Sequence, residues 1–384
     1  MTAHWRGKAA IAGVAESQLG LVDPGLTPLD LIGQAAAAAL ADSGLALSDV
    51  DALYTASAYY PMAGPITAEY LGIRPRTIDG TNVGGSSFVA HALHAARSIA
   101  AGEVEVALIT YASTQSSDGG KLVSASKQLS YEAAYRPRLP ISMYALAAAR
   151  HMHEYGTTRK QLAEVAVAAR RWAQLNPKAF KREPLTIEEV LSARTVSSPL
   201  TTLDCCLVTD GGGAVLLTSA ERAKDLAKEP VYVLGGGEAT WHSSISMMPD
   251  LTTTAAQESG RRAYETSGYG PGDMDVVELY DAFTINPILF LEDLGFCAKG
   301  EGGDFVDNGR IAPGGALPVN TNGGGLSYCH PGMYGIFLLI EAVRQLRGEA
   351  TDRQVVDAAL ALVNGNGGAL ASQVTAVLGT GSTF

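Results

Sequence analysis

Residues 43–54, SGLALSDVDALY, recur 224 positions downstream in residues 267–280, SGYGPGDMDVVELY. Each copy reads as a helix ending at glycine, a turn with two aspartates, and then an apolar strand. Asp49 and Asp51 of the first copy answer to Asp273 and Asp275 of the second. Working outward, the apolar spacing predicts a helix before each copy. One opens on Thr27 as N-cap with Pro28 in its first turn and runs through an alanine series to Gly44; the other covers residues 254–267. A further echo, offset by 246, matches the helix from Phe88 to Gly102 and Glu103 with that from Ile336 to Gly348 and Glu349. A buried-strand pattern follows each, Val106 to Tyr111 and Ala359 to Val363. Two copies of a strand, helix and strand unit predict two similar α/β halves, each with helices over a central sheet. In such folds ligands sit where strand ends meet helix starts.

The stretch from about 115 to 200 interrupts the first half and holds two helix patterns, Met143 to Tyr155 and Thr158 to Gln174. The expected organisation is therefore residues 1–115 plus 201–225 as one half, 116–200 as an inserted lobe, and 226–384 as the other half. The chain as a whole carries 28 Lys and Arg against 39 Asp and Glu, a net −11, which disfavours nucleic acid as a partner. Between Lys121 and Leu200 the balance reverses to 13 basic residues against 6 glutamates. That basic insert suits either an anionic ligand, phosphates above all, or helix faces paired with acidic neighbours. No apolar run approaches the roughly 20 residues of a membrane helix, and no secretory signal is evident, so a cytoplasmic address is expected. Cys205, Cys206, Cys297 and Cys329 lack metal-like spacing, and the glycine runs lack a dinucleotide fingerprint. Neither a metal nor a redox cofactor is expected.

Two glycine-bearing loops lead into the paired helices: Asp79 to Ser87 (DGTNVGGSS) and Asn320 to Gly335 (NTNGGGLSYCHPGMYG). The 246 offset sets Asn82 against Tyr328, so the loops are expected to face one another. With GGSSF at 84–88, LDCCLVTDGGGAVLL at 203–217, YDAF at 280–283, GFCAKGEGGDF at 295–305 and NTNGGGLSYCHPG at 320–332, nearly the whole chain resembles the thiolase superfamily. It is most similar to the thiolase half of sterol carrier protein X and its bacterial lipid-transfer-protein-like relatives. The resemblance implies a five-layered αβαβα fold of two duplicated α/β halves with an inserted loop domain. It also implies a homodimer, and a small OB-fold partner with a zinc ribbon.

The family's nucleophilic cysteine falls here on Asn82 or Val83, and neither side chain can form an acyl thioester. Tyr280 replaces the histidine of the family's His-Asp-Cys-Phe motif and Ala282 its cysteine. The Cys-x-Gly cysteine would lie near Asn364-Gly365-Asn366, and only His330 matches a family catalytic residue. The resemblance then narrows to bacterial steroid side-chain aldolases. It implies retro-aldol cleavage of a β-hydroxyacyl-CoA, a steroid side-chain thioester among the candidates, to a ketone and a shorter acyl-CoA such as propionyl-CoA. Coenzyme A enters only as part of the substrate.

Tyr280 and Tyr328 are the implied acid/base groups, with His330 and main-chain N–H groups around the enolate oxygen. Cys329 reads equally as a proton carrier or a packed thiol. Asn82, Gly84, Gly85, Asn286, Gly324, Gly325 and Asn366 are expected to bind substrate. A phenol titrates near ~10, so a tyrosine base needs a partner to favour its phenolate. Competing readings are an acyltransferase with a non-standard thiol and a degenerate scaffold that binds acyl-CoA or lipid.

Overall fold

Thr27 opens the first helix with a reciprocal cap: its hydroxyl accepts from Asp30 N at 3.3 Å, and Asp30 Oδ2 accepts from Thr27 N at 2.8 Å. The helix, α1 (Pro28–Ser43), stops at Gly44 with φ 77°. The repeated aspartates behave alike in both copies. Asp49 and Asp273 accept from the main-chain N–H three residues upstream, at 2.8 and 2.7 Å. Asp51 accepts from Glu105 N and Val106 N, and Asp275 from Ala359 N and Leu360 N, all at 2.8–3.1 Å. Each therefore caps the start of the strand that lies parallel to its own.

The computed structural model describes residues 4–118 and 130–384. Its main sheet has nine strands among the described residues: β1 (Ala9–Glu16), β2 (Ala52–Thr55), β3 (Thr77–Asp79), β4 (Val106–Ser113), β5 (Gly211–Ser219), β6 (Val231–Thr240), β7 (Val276–Leu279), β8 (Leu360–Gly367) and β9 (Ser372–Gly379). Their spatial order is β3-β2-β4-β5-β1-β6-β9-β8-β7. Parallel pairs lie towards both edges, β2 with β3 and β4, and β8 with β7. The centre is antiparallel, and β1 joins β6 only through Ala10 with Tyr232 and Ile11 with Val231. Val319 bridges β7 in parallel on its outer side, where β3 sits beside β2 at the other edge.

Helices α2 (Ser87–Ala100) and α6 (Gly335–Leu346) touch each other and strands on both sides of the β1/β6 junction. This is why both are buried almost all round: Phe88 to Leu93 and Ile336 to Val343 are fully covered. Helix α1 packs on β1, β4 and β5, and α5 (Ala256–Ser267) on β6 and β9. Between β4 and β5 come α3 (Ile141–Tyr155) and α4 (Arg159–Gln174), and α4 lies against the loop before His330. No described helix is long and apolar enough to cross a membrane.

Several basic side chains of residues 141–182 are used within the chain. Arg159 pairs with buried Asp204 at 2.7 Å, Lys160 with Asp307 at 3.2 Å and Lys178 with Glu16 at 3.0 Å. Arg170 donates to Ser327 Oγ and Glu183 O.

Candidate active site

Tyr280 extends β7 by one residue, its N–H donating to Asn364 O at 3.0 Å. The side chain then projects toward the loop that leads into α2. Gly85 makes this approach feasible, since a Cβ there would lie 2.1 Å from Tyr280 Cε2. Gly84, at φ +79°, likewise admits the main chain of Gly367 and Gly368.

The Tyr280 hydroxyl lies 3.0 Å from His330 Nε2 and accepts from Tyr334 N at 3.1 Å. The histidine is held from behind, with its N–H donating to Thr209 Oγ1 at 2.9 Å. Tyr111 secures the next residues by donating to Pro331 O and accepting from Met333 N. Burial lowers the His330 pKa to about 4, against a hydrogen bond to its own main-chain carbonyl. The ring is thus neutral at pH 7, and a proton on Nδ1 leaves Nε2 as acceptor for the Tyr280 hydroxyl. Burial pushes the Tyr280 phenol well above its ordinary value.

Asp281, beside Tyr280, points away from it. Its carboxylate accepts from Gly325 N at 2.6 Å and Leu326 N at 3.3 Å and pins a π-helical turn, Gly324–Tyr328. A Cβ at Gly324 would meet Asp281 Oδ2 at 2.0 Å. Burial raises the Asp281 pKa to about 7 against these donors.

A cavity of about 470 Å³ opens over Tyr280 and His330, with Asn82, Gly84, Gly85 and Asn366 also on its wall. The apolar part of the wall includes Met143, Phe283 and Met333. Of the remaining residues singled out by sequence, Gly324, Gly325, Asn286, Tyr328 and Cys329 lie outside the lining. Asn286 donates to Tyr280 O at 3.2 Å, behind the tyrosine.

Tyr328 turns toward the end of β1 and donates to Glu16 Oε1 at 2.6 Å. Burial would raise the Glu16 pKa, but Arg344, Lys178 and this phenol together hold its carboxyl well below the usual range. Cys329 is fully buried, which pushes its thiol well above the ordinary value. The four cysteines are free, and no group of three or more metal-ligating side chains occurs among the described residues. His94 bonds Asp79 at 2.7 Å and Glu238 at 3.1 Å, and those carboxylates raise its pKa to about 9. His151 bonds Glu292, and Trp172 donates to Ile311 O, both inside the packing of the lobe.

Sequence reasoning missed the second tyrosine on the cavity wall, Tyr144 of α3. Its ring stacks on Phe283 at 4.3 Å, and its hydroxyl donates to Gly368 O at 2.8 Å while accepting from Asn366 Nδ2 at 3.0 Å. Within a helix pattern this tyrosine looks like any other, and no local signal brings α3 against β8.

Residues 237–380 match the family "Thiolase C-terminal domain-like". The chain is 36% identical over 372 residues to a steroid side-chain-cleaving aldolase of Thermomonospora curvata, covering 90% of this chain and 92% of that one. It is 34% identical over 373 residues to an acetyl-CoA acetyltransferase of Methanothermobacter thermautotrophicus, covering 94% and 96%. Among solved structures, the Ltp2-ChsH2(DUF35) aldolase superposes with a TM-score of 0.87 at 33% identity, over 98% of this chain and 99% of that one.

Proposed function

Since the chain belongs to the thiolase superfamily, in its sterol carrier protein thiolase-like branch, we propose that it is a carbon–carbon lyase. Its substrate is a β-hydroxyacyl-CoA with a bulky acyl group such as a steroid side chain. Its products are a ketone and a shorter acyl-CoA such as propionyl-CoA. The observation that carries this reading is the Tyr280–His330 contact of 3.0 Å on the wall of a cavity without an activated thiol. Cys206 is the cysteine on that wall, and burial pushes its thiol well above the ordinary value. A nucleophilic cysteine needs the opposite shift, which argues against acyl transfer.

The chemistry uses the tautomer in which the Tyr280 hydroxyl donates to His330 Nε2. Tyr280 is too hard to ionise to act as a free phenolate base, so it relays. The substrate's β-hydroxyl proton passes to the Tyr280 oxygen as the Tyr280 proton passes to His330 Nε2. The Cα–Cβ bond breaks, its electron pair going to the thioester as an enolate while Cβ becomes the ketone carbon. Imidazolium and enolate arise together, and the nearby negative charge favours the protonated ring that burial alone disfavours. His330 then returns the proton through Tyr280 to Cα, and the enzyme is restored. The Tyr328 phenol, bonded to Glu16, supports the scaffold, as do Asp281 and Gly324.

The matched hydrogen bonds of the two aspartate turns and the helices enclosed between sheet portions support two duplicated halves in five layers. Residues 1–115 with 201–225 and residues 226–384 form the halves, and 116–200 the inserted lobe. The name of the solved aldolase supports a DUF35-type partner, and the family resemblance implies that such a partner carries an OB fold and a zinc ribbon. A homodimer and a cytoplasmic location complete the reading.

The test is direct. Purified protein, alone and with such a partner, is incubated with a β-hydroxyacyl-CoA bearing a tertiary β-carbinol, and ketone and acyl-CoA are quantified by chromatography with mass detection. Tyr280→Phe is expected to lower kcat by ~10²–10⁴. Absence of both products from the wild type, or full activity of the variant, refutes the proposal.

A further inference from the structure

Asn364 and Asn366 of β8 stand opposite Thr375 and Gln373 of β9, so four polar side chains share one face of two neighbouring buried strands. They form a single file of hydrogen bonds. Thr375 Oγ1 donates to Asn364 Oδ1 at 2.8 Å, Asn364 Nδ2 to Gln373 Oε1 at 3.0 Å, and Gln373 Nε2 to Asn366 Oδ1 at 2.7 Å. Asn366 Nδ2 then donates to the Tyr144 hydroxyl at 3.0 Å, and Tyr144 to Gly368 O at 2.8 Å. At the far end Ser259 of α5 lies 2.8 Å from Thr375 Oγ1, whose proton is already committed, so Ser259 is the donor.

The direction of this file is fixed at its Tyr144 end. A main-chain carbonyl can only accept, so Tyr144 donates to Gly368 and must accept from Asn366. The amide of Asn366 is therefore held with its oxygen toward Gln373 and its NH₂ group toward Tyr144, and Asn366 and Tyr144 both lie on the cavity wall. One N–H is used on Tyr144, and the second is left for a ligand. Every bond in the file runs the same way, which polarises the last donors beyond an isolated amide.

We propose that the second N–H of Asn366 is the donor that holds the thioester oxygen as it becomes the enolate. Gln373, which touches no substrate, is the positioning residue that sets that amide the right way round. This inference rests on the lyase reading and separates two jobs within one cavity. The Tyr280–His330 pair moves the proton, while Asn366 carries the developing charge and Tyr144 holds its first N–H. Tyr144 stays protonated throughout, because burial raises its phenol well above the ordinary value.

Gln373→Glu tests the assignment, since a carboxylate offers Asn366 an acceptor where it needs a donor and turns the amide over. Two rates are measured: cleavage of the β-hydroxyacyl-CoA, and Cα hydrogen–deuterium exchange of propionyl-CoA in D₂O, which needs enolate formation alone. Gln373→Glu is expected to lower kcat and the exchange rate by ~10–100-fold, as for loss of an orienting partner. KM should stay within about threefold, the pattern of an interaction made in the transition state. In an Asn366→Ala background the same substitution should add almost nothing to the loss. Gln373→Met, of similar shape but without hydrogen bonds, serves where the glutamate prevents folding and should lower exchange about tenfold.

Exchange at the wild-type rate in Asn366→Ala, or losses that multiply in the double variant, overturns the proposal. If the wild type exchanges Cα–H yet cleaves no β-hydroxyacyl-CoA, the lyase reading falls and the positioning role stands. If it does neither, both fall.

Discussion

Gly85→Ala puts one methyl group where the two halves of the site touch. The new Cβ would lie 2.1 Å from Tyr280 Cε2 and 2.7 Å from Asn366 O. Carbon atoms pack at about 3.5–4.0 Å, so the tyrosine ring must retreat by roughly 1.5 Å. It has little room, with the rings of His330 and Tyr334 set edge-on at centroid distances of 5.6 and 5.7 Å. A hydroxyl that starts 3.0 Å from His330 Nε2 leaves hydrogen-bond range when displaced this far. Misplacement by about 1 Å costs about 10²-fold in rate, and overpacking about 1–3 kcal/mol in stability. The expected variant is therefore folded, melts several degrees lower, and cleaves substrate about 10²-fold more slowly with KM little changed. Steady-state kinetics and a thermal melt read both effects. Gly272→Ala, where an added Cβ meets nothing within 4 Å, is the neutral control. A Gly85→Ala enzyme with kcat within about threefold of wild type refutes the Tyr280–His330 relay.

Tyr328→Phe is expected to keep kcat within about threefold while destabilising the fold by about 1.5–3 kcal/mol, because a buried carboxylate loses a donor; urea unfolding measures this, and a hundredfold drop in kcat would return Tyr328 to the chemistry. Asp281 has its pKa raised from 3.8 to about 7, so the folded state holds the proton more tightly than the unfolded chain. Its stabilising contribution is full below pH 3.8 and is lost as pH rises through about 7. Asp281→Asn should therefore flatten the decline in melting temperature across that window, and parallel wild-type and variant profiles would contradict the assignment.

Much of the scaffold was legible because it rests on local chemistry. Thr27, Pro28 and Gly44 bound a helix by capping, and the paired aspartate turns recur because each holds the next strand by two N–H groups. Boundaries failed where tertiary pairing overrode propensity. The expected strand ending at Val363 continues to Gly367 through Asn364-Gly365-Asn366, residues poor in strand propensity that β9 pairs nonetheless. The glycines of the two loops were read as ligand contacts, yet Gly84, Gly85 and Gly324 also clear space for protein atoms.

The sequence by itself determined the α/β class and the lack of cysteine at the family's thiol positions, because residue identity and spacing suffice for these, and it nominated Tyr280 and His330. Only the tertiary structure decided which tyrosine shares the cavity. Tyr328 is two residues from His330, yet the π-helical turn pinned by Asp281 sends its phenol to Glu16. Tyr144 is 136 positions before Tyr280 in the chain, yet α3 brings it over Phe283 and Asn366. Side-chain direction within a loop, and contact between distant elements, follow from packing and buried hydrogen bonds that no local pattern encodes.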